Sequence, residues 1–307
     1  MPTYTGATVP SGISFIVGGQ STAAPNASTY VNSITAAGAS TDVDLTLSPK
    51  GNGALTAHVA DDSNTYGKKR GANAVDWQTS RSSSPRIASG SAAVVGGGGN
   101  NQASGATSTV AGGSGGVASG TCSTVAGGNN NTASGDYSTI SGGDSATAEI
   151  RGKFAHASGR FAANGDAQFG RMILRVATTD GITAKILTAD GGGVASALTT
   201  LVLGNNKVFS YKIELVANSG AVPSGTVYGT WGGNWSLSGL IRRTANAAST
   251  ALIGTPSVAY ANLDSAIGAC TVALTADTTL GGLQIAVTGV ASTNIHWVAV
   301  VTTTEVG

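Results

Sequence analysis

Hydrophobic positions in this chain occur singly or in short alternating runs, and one stretch repeats them at a fixed interval. Between residues 88 and 148 a branched apolar residue recurs every 15 positions, at Val95, Val110, Val125 and Ile140. Each stands seven places after the Ala of an Ala-Ser-Gly triplet, at Ala88, Ala103, Ala118 and Ala133. Gly-Gly follows two places after the apolar residue, at Gly97-Gly98, Gly112-Gly113, Gly127-Gly128 and Gly142-Gly143. Ser108, Ser123 and Ser138 fill another column, and Thr109, Thr124 and Thr139 a further one. Aligned columns at one period mark a repeat architecture. The unit is too short and too rich in Gly for a helical hairpin. Ser-Thr-Val suits a short strand with one inward side chain. Gly-Gly and Ser-Gly supply two turns. Two strands and two turns make one coil of a β-roll or β-solenoid, with coils stacked about 4.8 Å apart.

Residues 171–307 alternate differently. Phe209, Tyr211, Ile213 and Leu215 fall on one face of a strand, as do Ile295, Trp297, Ala299 and Val301. Strands are predicted at 172–178, 183–187, 198–203, 208–216, 226–230, 235–242, 257–261, 270–275, 283–288 and 294–301, separated by Gly, Asn, Asp and Ser turns. Short strands without helical stretches predict an all-β C-terminal tip, a β-sandwich of jelly-roll type. The predicted organisation is a β-rich docking segment over 1–60, a neck over 61–87, the repeat shaft over 88–148, a joint over 149–170 and the tip over 171–307. In the first segment 13–17, 43–47 and 54–59 read as strands. In the neck Val75 and Trp77 read as core, and Lys68-Lys69-Arg70 as a solvated face.

Energetics bear on the repeat. One coil buries a Val or Ile and small residues, worth on the order of 2–4 kcal/mol. Ordering its backbone costs on the order of 15–30 kcal/mol. The expectation is therefore an elongated homo-oligomer, three chains around one axis.

Composition narrows the function. Gly is 46 of 307 residues, charged residues are 10 %, and 16 Lys+Arg face 15 Asp+Glu for a net charge of +1. So balanced a surface excludes nucleic acid as a partner recognised through bulk charge. No apolar run reaches the ~20 residues of a membrane helix, so no membrane insertion is expected. The N-terminus lacks the pattern of a secretory signal, which predicts synthesis in a cytoplasm. Cys122 and Cys270 are too few for a disulfide framework. His58, His156 and His296 read as structural, and no metal or cofactor is expected. Asp166 beside Arg171 and Arg175 reads as an inter-chain ion pair.

No nucleophile motif appears, and only three Glu occur: Glu149, Glu214 and Glu305. That thin supply of carboxylates argues against a glycan hydrolase, which needs a carboxyl pair across one groove. Binding is left. The segment from Tyr228 to Trp235 places two Trp in a Gly-rich turn, a surface suited to sugar rings or protein anchors. Tyr228, Trp231, Asn234, Trp235 and Tyr260 are the candidate ligand-binding residues.

The Ala-Ser-Gly-x-x-Ser-Thr-Val-x-Gly-Gly pattern resembles the head repeats of trimeric adhesins and the shafts of bacteriophage tail fibres. Flanking segments are similar to a phage tail-fibre family with a small-residue shaft and a C-terminal β tip. They are Leu47 to Leu55, Arg70 to Arg81, Gly165 to Gln168, Gly170 to Arg175 with Thr178-Thr179, and Ile295 to Val306. The resemblance covers residues 40–307. It implies a virion protein that contacts the host surface; with the three-chain expectation and the thin carboxylate supply above, the reading is a homotrimer, not an enzyme, whose N-terminal segment docks on other tail or baseplate proteins. Its tip would adsorb to a glycan or protein of the host surface. The alternatives are a purely structural fibre or decoration protein and a short tailspike depolymerase.

Overall fold

The computed structural model describes residues 47–220 and 228–307, apart from the side chains at 220, 228–230 and 260–261, and the backbone of Gly19–Gln20 and Tyr30–Val31. The chain divides into two compact units, Met1–Lys50 and Gly51–Gly307. In the first, Gly19–Gln20 pairs antiparallel with Tyr30–Val31. The expected strand at 13–17, and all but the last residue of the one at 43–47, lie outside the described residues.

The second unit is all-β. Its only helical turns among the described residues are Ala247–Ser249 and Ser265–Ile267. The repeat forms a β-solenoid. One parallel ladder climbs through Val94–Val95, Thr109–Val110 and Thr124–Val125 to the strands beginning at Thr139 and Phe154. A second runs through Gln102–Ala103, Val117–Ala118, Thr132–Ala133 and Thr147–Ala148. The inward members of the first ladder are Val95, Val110, Val125 and Ile140. They pack against Ala88, Ala103, Ala118, Ala133 and Ala148, all fully buried. The ladder also reaches back through Val75–Asp76 to Leu55–Thr56. The spacing there is wider than 15 residues, which hides these coils from a periodicity search.

The two turns work differently from the expectation. At Gly-Gly the left-handed backbone is used, as at Gly128 with φ 85°. At Ser-Gly the glycine serves close approach instead. A Cβ on Gly105 or Gly120 would overlap the carbonyl of Gly120 or Gly135 one coil on. The left-handed residue lies two places later and is not glycine: Ala92, Thr107, Cys122 and Tyr137, at φ 53–58°.

Buried Asn side chains brace alternate coils. Asn131 Nδ2 donates to the carbonyls of Gly127 (2.8 Å) and Gly143 (3.0 Å), and its Oδ1 accepts from the Ala146 amide at 2.9 Å. Asn101 does the same with Gly97, Gly113 and Gly116.

Within one chain the first coils differ from the sequence reading of the neck. Trp77 is 46 % exposed, and Asp76 between it and Val75 points inward and is fully buried. Alternation holds, but with the opposite register. Charge explains it. Asp76 Oδ2 lies 2.8 Å from Arg70 Nε and 3.4 Å from Arg81 Nη2, all shielded from water. Arg70 therefore does not belong to a solvated basic run. Its guanidinium also donates to the Tyr66 and Lys68 carbonyls.

At the other end the solenoid passes into the tip without a break in the sheet. The strand Phe154–Ser158 pairs parallel with Thr139–Asp144 and antiparallel with Ala167–Thr178. The sheet continues through Asn294–Val306, Lys207–Gly220, Tyr228–Arg243 and Ala251–Leu263. A buried network fastens this joint. Lys153 Nζ lies 2.7 Å from Glu305 Oε1, Gln168 Nε2 donates to Glu305 Oε2 at 2.6 Å, and Gln168 Oε1 accepts from the Thr147 amide at 2.8 Å. Within one chain Asp166 makes no ion pair with Arg171 or Arg175, and the expected pairing between chains is a separate matter. Its carboxylate accepts from the amides of Phe161, Ala162 and Ala163 at 2.9, 2.6 and 2.7 Å.

The tip core is made of large side chains. Phe209, Tyr211, Ile213 and Leu215 are buried as the alternation predicts, together with Ile295, Trp297, Ala299 and Val301. A four-stranded sheet of Lys185–Ile186, Leu201–Val202, Thr271–Asp277 and Gly282–Thr288 adds Leu201, Leu283, Ile285 and Val287 to the same cluster.

Candidate functional site

The aromatic segment does not form a turn. Residues 228–243 are one strand, paired with Lys207–Gly220 and Ala251–Leu263. Strand alternation sends Trp235 inward, where it is 4 % exposed with its ring 5.3 Å from that of Trp297. Trp235 is therefore core and not a ligand platform. The polar end of Trp297 is satisfied by its Nε1 donating to Thr178 Oγ1 at 2.9 Å. Trp231 is half-buried against the same core. Asn234 Oδ1 accepts from the Asn262 amide at 3.0 Å. The side chains of Tyr228 and Tyr260 lie outside the described residues. The five expected residues thus share two neighbouring strands, but Trp235 is lost to the interior and Trp231 is half lost.

Polar side chains converge elsewhere, where the last coils meet the loop that follows Lys185–Ile186. A groove of about 210 Å³ is lined there by Ser134, Asp136, Arg151, Asp190, Ser196 and Thr199, among others. Two coil edges supply Asp136 and Arg151, one 15-residue step apart, so the stack sets their side chains one above the other. Arg151 Nη1 lies 3.7 Å from Asp136 Oδ2, and the guanidinium sits 4.3 Å from the centre of the Tyr137 ring. This cation–π contact holds the arginine flat across the coil edge. The Arg151 amide donates to the Leu198 carbonyl at 2.9 Å, which ties the loop to the coil.

From the loop, Asp190 Oδ1 accepts from Thr188 Oγ1 at 2.6 Å and from the Gly192 amide at 3.0 Å. The Thr188 hydroxyl is the main cause holding the Asp190 carboxyl below the ordinary carboxylate range, and Arg151 adds to it. The groove therefore offers ionised acceptors, a fixed guanidinium and hydroxyls within one small concavity. That set suits a ligand dense in hydroxyl groups. The sequence held a signal for it. The coil-edge column reads Ser91, Ala106, Thr121, Asp136, Arg151 and its neighbour Ala92, Thr107, Cys122, Tyr137, Gly152. Charge and aromaticity enter these columns only in the last coils, beside the groove.

Among the described residues no group of three His, Cys, Asp or Glu is placed to hold a metal, and no helix is long and apolar enough to cross a membrane. Cys122 is exposed, Cys270 is buried, and both are free. His156 Nδ1 lies 3.2 Å from Ser141 Oγ, a coil-edge hydrogen bond.

The chain is thus a β-solenoid protein whose ladder merges into a broad antiparallel sheet. No family model and no curated protein matches the sequence. Among solved structures it is similar to the tailspike protein of Acinetobacter baumannii phage AM24, at 8 % identity and a TM-score of 0.25, over 82 % of this chain and 56 % of the tailspike. It is also similar to the tailspike of Acinetobacter phage vB_ApiP_P1, at 9 % identity and a TM-score of 0.22, over 85 % of this chain and 60 % of that one. The chain spans somewhat over half the length of those tailspikes. Likeness at this level carries no argument about function, which rests on the residues of the chain itself.

Proposed function

We propose that the protein is a homotrimeric phage tail-fibre or receptor-binding protein that attaches a virion to a saccharide of the host surface. The two sheets that share the tip core are read as its β-sandwich. The observation that carries this reading is the small-residue β-solenoid, with its Ala-Ser-Gly coils, running unbroken into the tip sheet. Docking on other tail proteins through the N-terminal segment is implied by the sequence resemblance alone.

Self-association is supported by an apolar outer face. Phe154 on the last solenoid strand and Phe169 beside it, their ring centres 6.4 Å apart, and Ile173 on the same tip strand as Phe169 are each more than a third exposed on one sheet. Monomeric proteins rarely leave so many large apolar side chains on one surface. Intact mass in solution tests this: a trimer is expected, and a monomer at micromolar concentration overturns it.

Attachment through the Asp136–Arg151–Asp190 groove is supported by its density of hydrogen-bonding groups. Binding without cleavage is supported by the state of Asp190. A glycosidase pairs an acid of raised pKa with an ionised carboxylate, and Asp190, whose pKa is depressed, suits the second role and not the first. Fluorescently labelled protein should stain host cells, and Asp136→Asn with Arg151→Gln should remove most of the staining. Unchanged staining by that double variant overturns the groove assignment. No staining by the unaltered chain overturns attachment in favour of a spacer. Release of reducing sugar from host envelope overturns binding in favour of cleavage.

A further inference from the structure

A second cavity opens on the outward face of the tip sheet, beside Gly191. Its volume is about 240 Å³, and Arg175, Ala177, Gly191, His296 and Val298 are among its lining. Strand alternation puts Arg175 and Ala177 of Ala167–Thr178 on this face, with His296 and Val298 of Asn294–Val306. The register sets Arg175 opposite Val298, and Ala177 opposite His296. Two long nitrogen-bearing side chains therefore occupy one diagonal of the four positions, and two short apolar ones the other. The missing bulk at Ala177 is part of the hollow.

The turn completes the wall. Gly191 has φ 79°, and a Cβ there would lie 3.2 Å from Arg175 Nε, so glycine lets the turn come up against the guanidinium. Arg175 Nη2 donates to the Asp190 carbonyl at 2.9 Å, which holds the fork in place. The Asp190 carboxylate itself is engaged by Thr188 and Gly192. Among the described residues no carboxylate lies within ion-pair distance of Arg175, in contrast to Arg70, Arg81, Arg151 and Lys153.

A positioned cation without a counter-charge, an imidazole beside it and the apolar Ala177 and Val298 make a small amphipathic cup. We propose that this cavity binds the carboxylate of an acidic sugar of the uronate type. Arg175 would grip the carboxylate as a bidentate fork, His296 would meet its other side or the neighbouring hydroxyl, and Val298 would take the apolar face of the ring. Below the 300–1,000 Å³ of ordinary small-molecule pockets, the cavity has room for one sugar residue and not for a chain. The biological source of that sugar, a host surface polysaccharide, rests on the attachment reading above. The carboxylate chemistry does not.

Saturation-transfer NMR on the full chain with galacturonic acid is the test, alongside galactose, methyl galacturonate, acetate and inorganic phosphate. Galacturonic acid should bind with a dissociation constant of about 1 mM or tighter, and the two uncharged sugars should not compete. Arg175→Gln should weaken binding at least tenfold with an unchanged melting temperature, and His296→Ala should weaken it less. No binding of galacturonic acid, or binding unaffected by Arg175→Gln, overturns the proposal. Acetate or phosphate binding as tightly as galacturonic acid overturns the sugar assignment. The two readings fail separately. Cell staining that survives while galacturonic acid fails to bind removes the cavity proposal alone. Galacturonic acid binding without cell staining removes attachment alone.

Discussion

The solenoid and the tip are parts of one hydrogen-bonded sheet, yet they stay ordered by opposite means. Inside the coils the largest repeated side chain is Val or Ile, and its neighbours are Ala, Ser and Asn. The backbone is drawn so close that a methyl group at Gly120 has nowhere to go. In the tip, strands are held by Trp, Phe, Tyr, Leu and Ile in one large cluster. The first region depends on what is absent from its side chains and the second on their bulk. Stability is therefore sensitive to added volume in one and to removed volume in the other.

Trp297→Ala should have the largest effect, a loss of about 3–5 kcal/mol. It empties the space beside Trp235 and strands the Thr178 hydroxyl. Urea unfolding should show a lower midpoint at unchanged slope; a loss under 1 kcal/mol would mean that the tip core is not organised around the paired indoles. Gly120→Val should cost about 1–3 kcal/mol by overpacking against a carbonyl that cannot yield. Ala126→Val, at an exposed position of the next coil edge, should stay within about 0.5 kcal/mol. Equal effects at the two sites would show that close backbone approach does not limit side-chain volume in the coils. Asn131→Ala should cost about 1–3 kcal/mol, since the Ala146 amide is left buried without its acceptor. Hydrogen exchange should quicken at Ala146 before it does in the Val ladder.

The smallest expected effect is on acid stability. Asp166 and Asp180 are held below the ordinary value of 3.8 by backbone amides, and Asp190 chiefly by the Thr188 hydroxyl. A depressed value means the folded state binds fewer protons than the unfolded chain. Their contribution is complete above 3.8 and is lost as pH falls through the depressed values. The melting temperature should be level above that point and decline below it. A decline that sets in near neutrality would show that other groups control the transition.

The solenoid was legible because its constraint acts on every coil alike, so that Val, Ala and Gly columns recur in the sequence. The alternating tip strands were legible because a sheet with one buried face writes its period directly at Phe209–Leu215 and Ile295–Val301. Other features had no such trace. Asp76 enters the core because Arg70 and Arg81 meet it there, a match among three side chains that alternation reads as the wrong face. The Tyr228–Trp235 segment has the Gly and Asn of a turn, but it pairs with Lys207–Gly220 and, from Gly233 on, with Ala251–Leu263 as well, and tertiary pairing overrides local preference. The groove was hidden for a related reason. Asp136 and Arg151 look like lapses in a repeat until the loop carrying Asp190 is brought over them.

Glu305 lies on a strand that occupies the middle of the sheet, between Ala167–Thr178 and Lys207–Gly220. It is translated after every other element described. Until the ribosome has passed it, Lys153 at the top of the coils has no counter-charge, and the sheet has a gap where that strand belongs. A chain that stops short of Glu305 leaves the Lys153 ammonium buried without its carboxylate. The coil next to the tip thus depends on a carboxylate 152 residues further along the chain.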